Sequence, residues 1–203
     1  ARALCESAVE SLEMIEGMGF KDLVFSIKSS DPLVNVRANL LFAAENDYPL
    51  HIGVTEAGPV ISGAARSTVS LAILLLEGVG DTVRVSLSGD PVNEVIVAAA
   101  VLSSLGIRDD IPRVISCPTC GRCKLDVAEP AEGLEKEILS RRGGIRVAVM
   151  GCEVNGPGEA RDADIGIAGA ASGAVLFRKG KKYKVLKGGY LQALLQEIDK
   201  MSE

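Results

Sequence analysis

The sequence carries no surplus of basic charge, no long apolar run, a single histidine and no paired set of cysteines. Each absence excludes a class of protein. With 22 basic against 27 acidic side chains and a net charge of -5, the scattered cations offer no basic face to a nucleic-acid backbone. The longest apolar stretches, Leu71 to Leu76 and Val95 to Leu102, fall far short of the roughly 18 residues that a membrane span requires. They read as buried helices. Five cysteines are an odd number, and three of them crowd into residues 117–123, which is unlike the dispersed pairs of a secreted disulfide scaffold. The expected setting is therefore a reducing cytoplasm. Ala1 already lies inside an amphipathic pattern (Leu4, Ala8, Leu12, Ile15) with no charged leader or cleavage site, so the chain is expected to be cut from something longer.

What is present suits one large or two small packed units, since 203 residues with 47% hydrophobic content can fill real cores. Three short segments rich in branched apolar residues, Leu23 to Lys28, Leu50 to Thr55 and Val83 to Ser88, read as buried parallel strands. Each is followed by a proline that suits a helix start: Asp31-Pro32, Gly58-Pro59 and Asp90-Pro91. The helices that follow carry apolar stripes at helical spacing, such as Leu33, Val36, Leu40, Leu41 and Ala44. Lys28, Glu56 and Arg84 are spaced 28 residues apart, each on or just past one of these strands. Parallel strands joined by helical crossovers bring their C-terminal ends to one edge, where three such side chains can meet a ligand. Three strands cannot close a barrel, so this part is either an open sheet or lacks strands upstream.

The pattern changes at Gly106 to Pro112, dividing a first domain (1–110) from a second (111–203). The second reads as a small α/β unit, with a strand at Arg113 to Ser116 and a helix from about Pro130 to Ser140. Further strands are expected at Arg146 to Met150, Asp164 to Ile167, Ala174 to Arg178 and Lys182 to Leu186, then a helix bearing Leu191, Leu194, Leu195 and Ile198. Cys117-Pro-Thr-Cys120 and Cys120-Gly-Arg-Cys123 are overlapping CxxC turns, and Cys152 follows on a Gly-rich loop running to Glu159. Such a turn aims two thiolates at one metal, and a distant cysteine on a permissive loop can close the far side. Zinc is the first alternative. Because His51 lies 66 residues before Cys117, a zinc site needs sulfur or carboxylate donors alone, and an iron-sulfur cluster fits the spacing better. Cys5, on the apolar side of the first helix, reads as a small core residue.

The strings HIGVTEAGP (His51 to Pro59), RVSLSGDP (Arg84 to Pro91), SCPTCGR (Ser116 to Arg122) and MGCEVNGPGEARDADIGIAG (Met150 to Gly169) closely resemble the bacterial 4-hydroxy-3-methylbut-2-enyl diphosphate synthases. The resemblance implies an α/β fold: the last three strands of a TIM-type barrel, then an iron-sulfur domain joined directly to it. It implies reductive opening of 2-C-methyl-D-erythritol 2,4-cyclodiphosphate in the methylerythritol phosphate route to isoprenoids, with flavodoxin or ferredoxin as electron donor. It also implies a homodimer of the full-length protein, one subunit's cluster domain covering the partner's barrel mouth. By the same resemblance Cys117, Cys120 and Cys152 hold three irons of a [4Fe-4S] cluster and Glu159 the fourth. A carboxylate is a harder and more exchangeable ligand than a thiolate, and leaves one iron open to a substrate oxygen. Asn155 is expected to steady that oxygen. Lys28, Arg84 and Ser86 match positions that hold the diphosphate, and Glu56 matches an acidic residue near the carbon that is reduced. Cations and a hydroxyl at strand ends suit phosphate oxygens. The competing reading for Lys28 and Arg84 is a surface ion pair with Glu56.

Cys123 departs from the family pattern and supplies a rival, an all-thiolate cluster of Cys117, Cys120, Cys123 and Cys152 that only transfers electrons. His51 reads as packing or interface, remote from the loop ends, and Arg122 and Arg161 as salt-bridge partners. The Lys179 to Lys182 run is expected at a hairpin turn, with docking of an acidic electron donor as its functional alternative.

Overall fold

The computed structural model describes residues 1–141, 143–153 and 162–201. The chain divides into two compact units, Ala1–Ile107 and Arg108–Glu203.

In the first unit the helices are α1 (Arg2–Gly17), α2 (Pro32–Ala43), α3 (Val60–Leu76) and α4 (Val92–Ser104), with the short strands β1 (His51–Ile52) and β2 (Thr82–Val83) between them. The proline signals mark real helix starts. The Asp31 carboxylate accepts from the Leu33 and Val34 amides at the head of α2, and Asp90 accepts from Val92 at 3.0 Å at the head of α4. Strand β1 pairs parallel with β2, His51 opposite Thr82. The segment around Phe25 lies on the other side of β1, through a parallel bridge to Leu50 and a hydrogen bond from the His51 amide to the Phe25 carbonyl.

Three extended segments therefore run side by side, but regular ladder is shorter than the sequence suggests. Leu23 to Lys28 makes one bridge and is not a strand, and the other two keep only two ladder residues each. Parallel pairing is the weaker kind per residue, and two of the three segments have an outer edge without a partner among the described residues. Alternation still sorts the side chains. Ile27, Ile52, Val54 and Val85 are buried, the first two and Val85 in a core with Val36, Phe42, Leu71 and Leu74 from the helices. Lys28, His51, Gly53, Arg84 and Ser86 alternate with them and so occupy the opposite face.

A buried polar network fixes the segment that carries Lys28. Asn39 donates to the Ile27 carbonyl at 2.9 Å, the Ser29 amide donates to Asn35, and Asn35 donates to the Ser70 hydroxyl of α3 at 2.8 Å. These bonds satisfy buried groups that would each cost about 1 to 3 kcal/mol if left unpaired.

The second unit is a five-stranded sheet of β3 (Arg113–Ser116), β4 (Arg146–Met150), β5 (Ile165–Ala170), β6 (Gly173–Arg178) and β7 (Lys181–Leu186), in that spatial order. The first three strands are parallel and the last two antiparallel additions. Helices α5 (Ala128–Ile138) and α6 (Tyr190–Asp199) cover one face, where Leu134, Ile138, Leu194 and Ile198 pack on Val147, Val149, Ile165 and Leu176. These bounds fall within a few residues of those read from the sequence. Among the described residues no helix is long and apolar enough to cross a membrane.

Candidate functional site

In the first unit the strand-end cations gather. Lys28 Nζ donates to the His51 carbonyl at 3.4 Å, and the charge of Arg84 acts on both Lys28 and His51. The ion pair with Glu56 is not formed: among the described residues neither cation pairs with that carboxylate. Two like charges without a carboxylate between them make a place that favours an anion. The Ser86 Oγ is buried and has no hydrogen-bond partner among the described residues, so a donor is left free on the same face. Glu56 is exposed and adopts φ 54°, in the left-handed region that non-glycine residues rarely enter. Arg66 fastens the loop after it, donating to the Ala57 carbonyl at 2.7 Å.

His51 lies beside the cations rather than remote from them. Its Nδ1 is 2.8 Å from the Thr82 hydroxyl, and burial, then Lys28 and Arg84, push its pKa down. Gly53 is a second participant that sequence reasoning missed. A Cβ there would stand 2.2 Å from the Arg84 carbonyl oxygen and 3.3 Å from Lys28 Nζ, so the bare glycine lets the Arg84 strand and the ammonium close in. The available signal was a glycine inside an otherwise branched apolar run.

Lys28 titrates low, from 10.5 to about 8, through burial first and Arg84 second. Between pH 8 and 10.5 the unfolded chain keeps a proton that the folded chain has released, so stability should rise with pH across that window. Urea unfolding at stepped pH tests this. Lys28→Met should flatten the rise, and an unchanged slope in the variant would assign it to another group.

The Glu56 conformation yields a separate expectation. A left-handed non-glycine residue costs roughly 1 to 2 kcal/mol, while glycine loses somewhat less than that through its freer unfolded state. Glu56→Gly should therefore leave stability level or raised by up to about 1 kcal/mol in urea titrations. A loss larger than that would mean that the carboxylate makes a stabilising contact.

In the second unit the cysteines collect at one end of the parallel strands. Cys117 follows β3 directly and Cys152 follows β4 by two residues, and β3 and β4 are neighbours with Ser116 opposite Val149. The Gly151 amide donates to the Cys117 sulfur at 3.1 Å. Cys123 reaches the same glycine: a Cβ on Gly151 would meet its sulfur at 2.3 Å, and the Cys120 amide donates to that sulfur at 3.5 Å. Cys152 is buried and Cys120 exposed, the Cys120 thiol being held below its ordinary range chiefly by the Arg122 backbone. Asn155, Glu159 and Arg161 lie outside the described residues, and no three His, Cys, Asp or Glu side chains among the described ones converge as a metal-holding group. The donor chemistry nevertheless suits a thiophilic iron centre. Sulfur is the abundant ligand, N–H donors already point at two of the sulfurs, and the one imidazole belongs to the first unit.

Fold and sites together define an α/β protein with an anion-favouring cation pair on one unit and a thiol-rich strand end on the other. Family profiles agree with that division. Residues 1–99 match the GcpE TIM-barrel domain and residues 113–200 match the GcpE protein C-terminal domain. The chain belongs to the GcpE family. It is 48% identical over 200 residues to a protein of Caldanaerobacter subterraneus named 4-hydroxy-3-methylbut-2-en-1-yl diphosphate synthase (flavodoxin), covering 98% of this chain and 56% of that relative. Proteins of the same name from Desulfotalea psychrophila, 48% identical over 203 residues (100% of this chain, 56% of the relative), and Natranaerobius thermophilus, 50% over 198 (97% and 55%), are similar to it. The chain thus spans little more than half the length of these relatives.

Proposed function

We propose that the chain is the C-terminal portion of a cytoplasmic iron-sulfur oxidoreductase that opens 2-C-methyl-D-erythritol 2,4-cyclodiphosphate and yields 4-hydroxy-3-methylbut-2-enyl diphosphate for isoprenoid biosynthesis. Two electrons and two protons enter, the ring carbon–oxygen bond to phosphate and the neighbouring carbon–hydroxyl bond both break, a double bond forms between those two carbons, and the hydroxyl leaves as water. The electrons come from flavodoxin or ferredoxin, and the full-length protein acts as a homodimer. Residues 1–110 supply the last three strands of a TIM-type barrel, and residues 111–203 form the cluster domain.

The family relationship supports the barrel reading, as do three parallel extended segments and an open groove of about 390 Å³ between α1 and the Phe25 to Lys28 edge. Space of that kind beside an unpaired edge suits a further strand.

The observation that carries the cluster reading is the convergence of Cys117 and Cys152 on adjacent strand ends, with the Gly151 N–H on the Cys117 sulfur. Cys117, Cys120 and Cys152 would hold three irons, with Glu159 as the exchangeable fourth ligand. A bound [4Fe-4S] cluster supplies single-electron transfer and a Lewis-acidic iron. Lys28 and Arg84 bind the diphosphate, and the free Ser86 hydroxyl donates to a phosphate oxygen. Glu56 lies near the carbon that is reduced, and Asn155 orients the departing oxygen.

One observation favours a second reading. Because the Cys123 sulfur abuts the residue that bonds Cys117, an all-thiolate electron-transfer or structural metal module has a fourth sulfur at hand. Anaerobic purification with iron, sulfide and zinc analysis, followed by turnover of the cyclic diphosphate with a reducing dye and a supplied N-terminal half, separates the readings. Iron with matching sulfide and product formation is expected. A zinc-loaded or cluster-bearing protein that makes no product under those conditions favours the module.

A further inference from the structure

The region from Ile165 to Gln196 contains six cations, Arg178, Lys179, Lys181, Lys182, Lys184 and Lys187, and no carboxylate, in a chain whose net charge is -5. The fold collects this charge on one hairpin. Arg178 ends β6, Lys179 and Gly180 turn the chain with positive φ at both positions, β7 carries Lys181, Lys182 and Lys184 along the outer edge of the sheet, and Lys187 follows it. Every one of the six is exposed, and none is in an ion pair among the described residues. Tyr183 and Val185, 59% and 57% exposed, lie between the lysines.

Lysines on an edge strand also serve to block edge-to-edge aggregation. That purpose asks for one or two charges, and it accounts for neither the cations on the turn and beyond the strand nor the exposed tyrosine and valine. A tyrosine and an aliphatic side chain within a basic field are the composition of a transient protein-docking surface.

Register places the C-terminal end of the patch level with the thiols. Met150 pairs with Ala168, Ala168 with Val175, and Val175 with Val185, so one row crosses the sheet from the strand that leads to Cys152 to the C-terminal end of the basic edge. At about 4.8 Å per strand the row spans roughly 15 Å. Lys184 flanks Val185, and Lys187 lies beyond the strand at the same end as Cys117 and Cys152.

We propose that the β7 edge, centred on Lys184, Tyr183, Val185 and Lys187, is the docking surface for an acidic flavodoxin-type electron carrier. The inference rests on the proposed function, and the relatives' name carries the word flavodoxin. Complementary charge raises encounter rates and orients the carrier, whose flavin edge would face the row leading to the cysteines.

The test is direct binding of a purified, oxidised flavodoxin to the 203-residue chain by titration calorimetry at low and moderate salt, which requires no cluster. Saturable binding that weakens about tenfold or more in Lys184→Glu/Lys187→Glu is expected, with unchanged affinity in the charge-matched control Lys21→Glu/Lys136→Glu. Circular dichroism verifies that both variants are folded, and if the first is not, Lys184→Gln/Lys187→Gln is used with a smaller loss expected. No binding, equal loss in the control, or equal preference for duplex DNA or anionic vesicles would overturn the proposal. With reconstituted protein, the second-order rate of reduction by the carrier should fall in the Lys184/Lys187 variant while reduction by dithionite is unchanged. Lysine-dependent binding without any reducible cluster would refute the catalytic reading and leave the docking surface standing.

Discussion

Cys152→Ser should retain roughly a tenth or less of the iron that the unsubstituted chain takes up on anaerobic reconstitution, measured by iron and sulfide analysis after desalting. The expectation follows from place. Cys152 is only 5% exposed, just past β4 and beside the strand that delivers Cys117. Serine keeps the volume but offers a hydroxyl that binds iron far less firmly than a thiolate. Cys123→Ser should keep most of its iron, because Cys123 lies against Gly151 as packing in the proposed arrangement. Parallel loss in both variants would favour the all-thiolate module.

Gly53→Ala should lower stability by about 1 to 3 kcal/mol and abolish pyrophosphate binding. The added methyl would stand 2.2 Å from a backbone carbonyl, that of Arg84, and backbone cannot swing aside as a side-chain tip can. Relief requires β1 and β2 to separate, which carries Arg84 away from Lys28. In the unsubstituted chain pyrophosphate should raise the melting temperature, since an anion beside Lys28 compensates the burial and, second, the Arg84 charge that together lower its pKa, and a ligand at a hundred times its Kd adds about 2.7 kcal/mol. Thermal melts with and without pyrophosphate measure both effects. A Gly53→Ala chain that is as stable and is stabilised as much would show that the anion binds elsewhere.

Much of this architecture was legible because local chemistry announces it. Asp31-Pro32 caps a helix wherever it occurs, and the alternation of Ile27, Ile52 and Val85 with polar neighbours marks a face before any neighbour is known. The strands of the second unit were readable for the same reason, as branched runs between turn residues. Ladder length in the first unit was not, because pairing depends on what lies at the outer edges of Phe25 to Lys28 and β2, and no local pattern encodes that.

The sites divide in the same way. Cysteine spacing and the recurrence of Lys28, Glu56 and Arg84 are properties of the chain, and they place these residues at or just past the ends of extended segments. That Lys28 bends to the His51 carbonyl, or that Cys123 and Cys117 both meet Gly151, depends on approach between segments distant in sequence. Gly53 was visible only as an interruption in a strand, since a missing side chain does not say which neighbour fills its place.

The most direct measurement is Mössbauer spectroscopy of the oxygen-free, reconstituted protein and its Cys123→Ser variant. Both should show a four-iron centre in which one iron differs from the other three, as a carboxylate-ligated corner requires. Four equivalent sulfur-bound irons in the unsubstituted protein, lost when Cys123 is replaced, would contradict it.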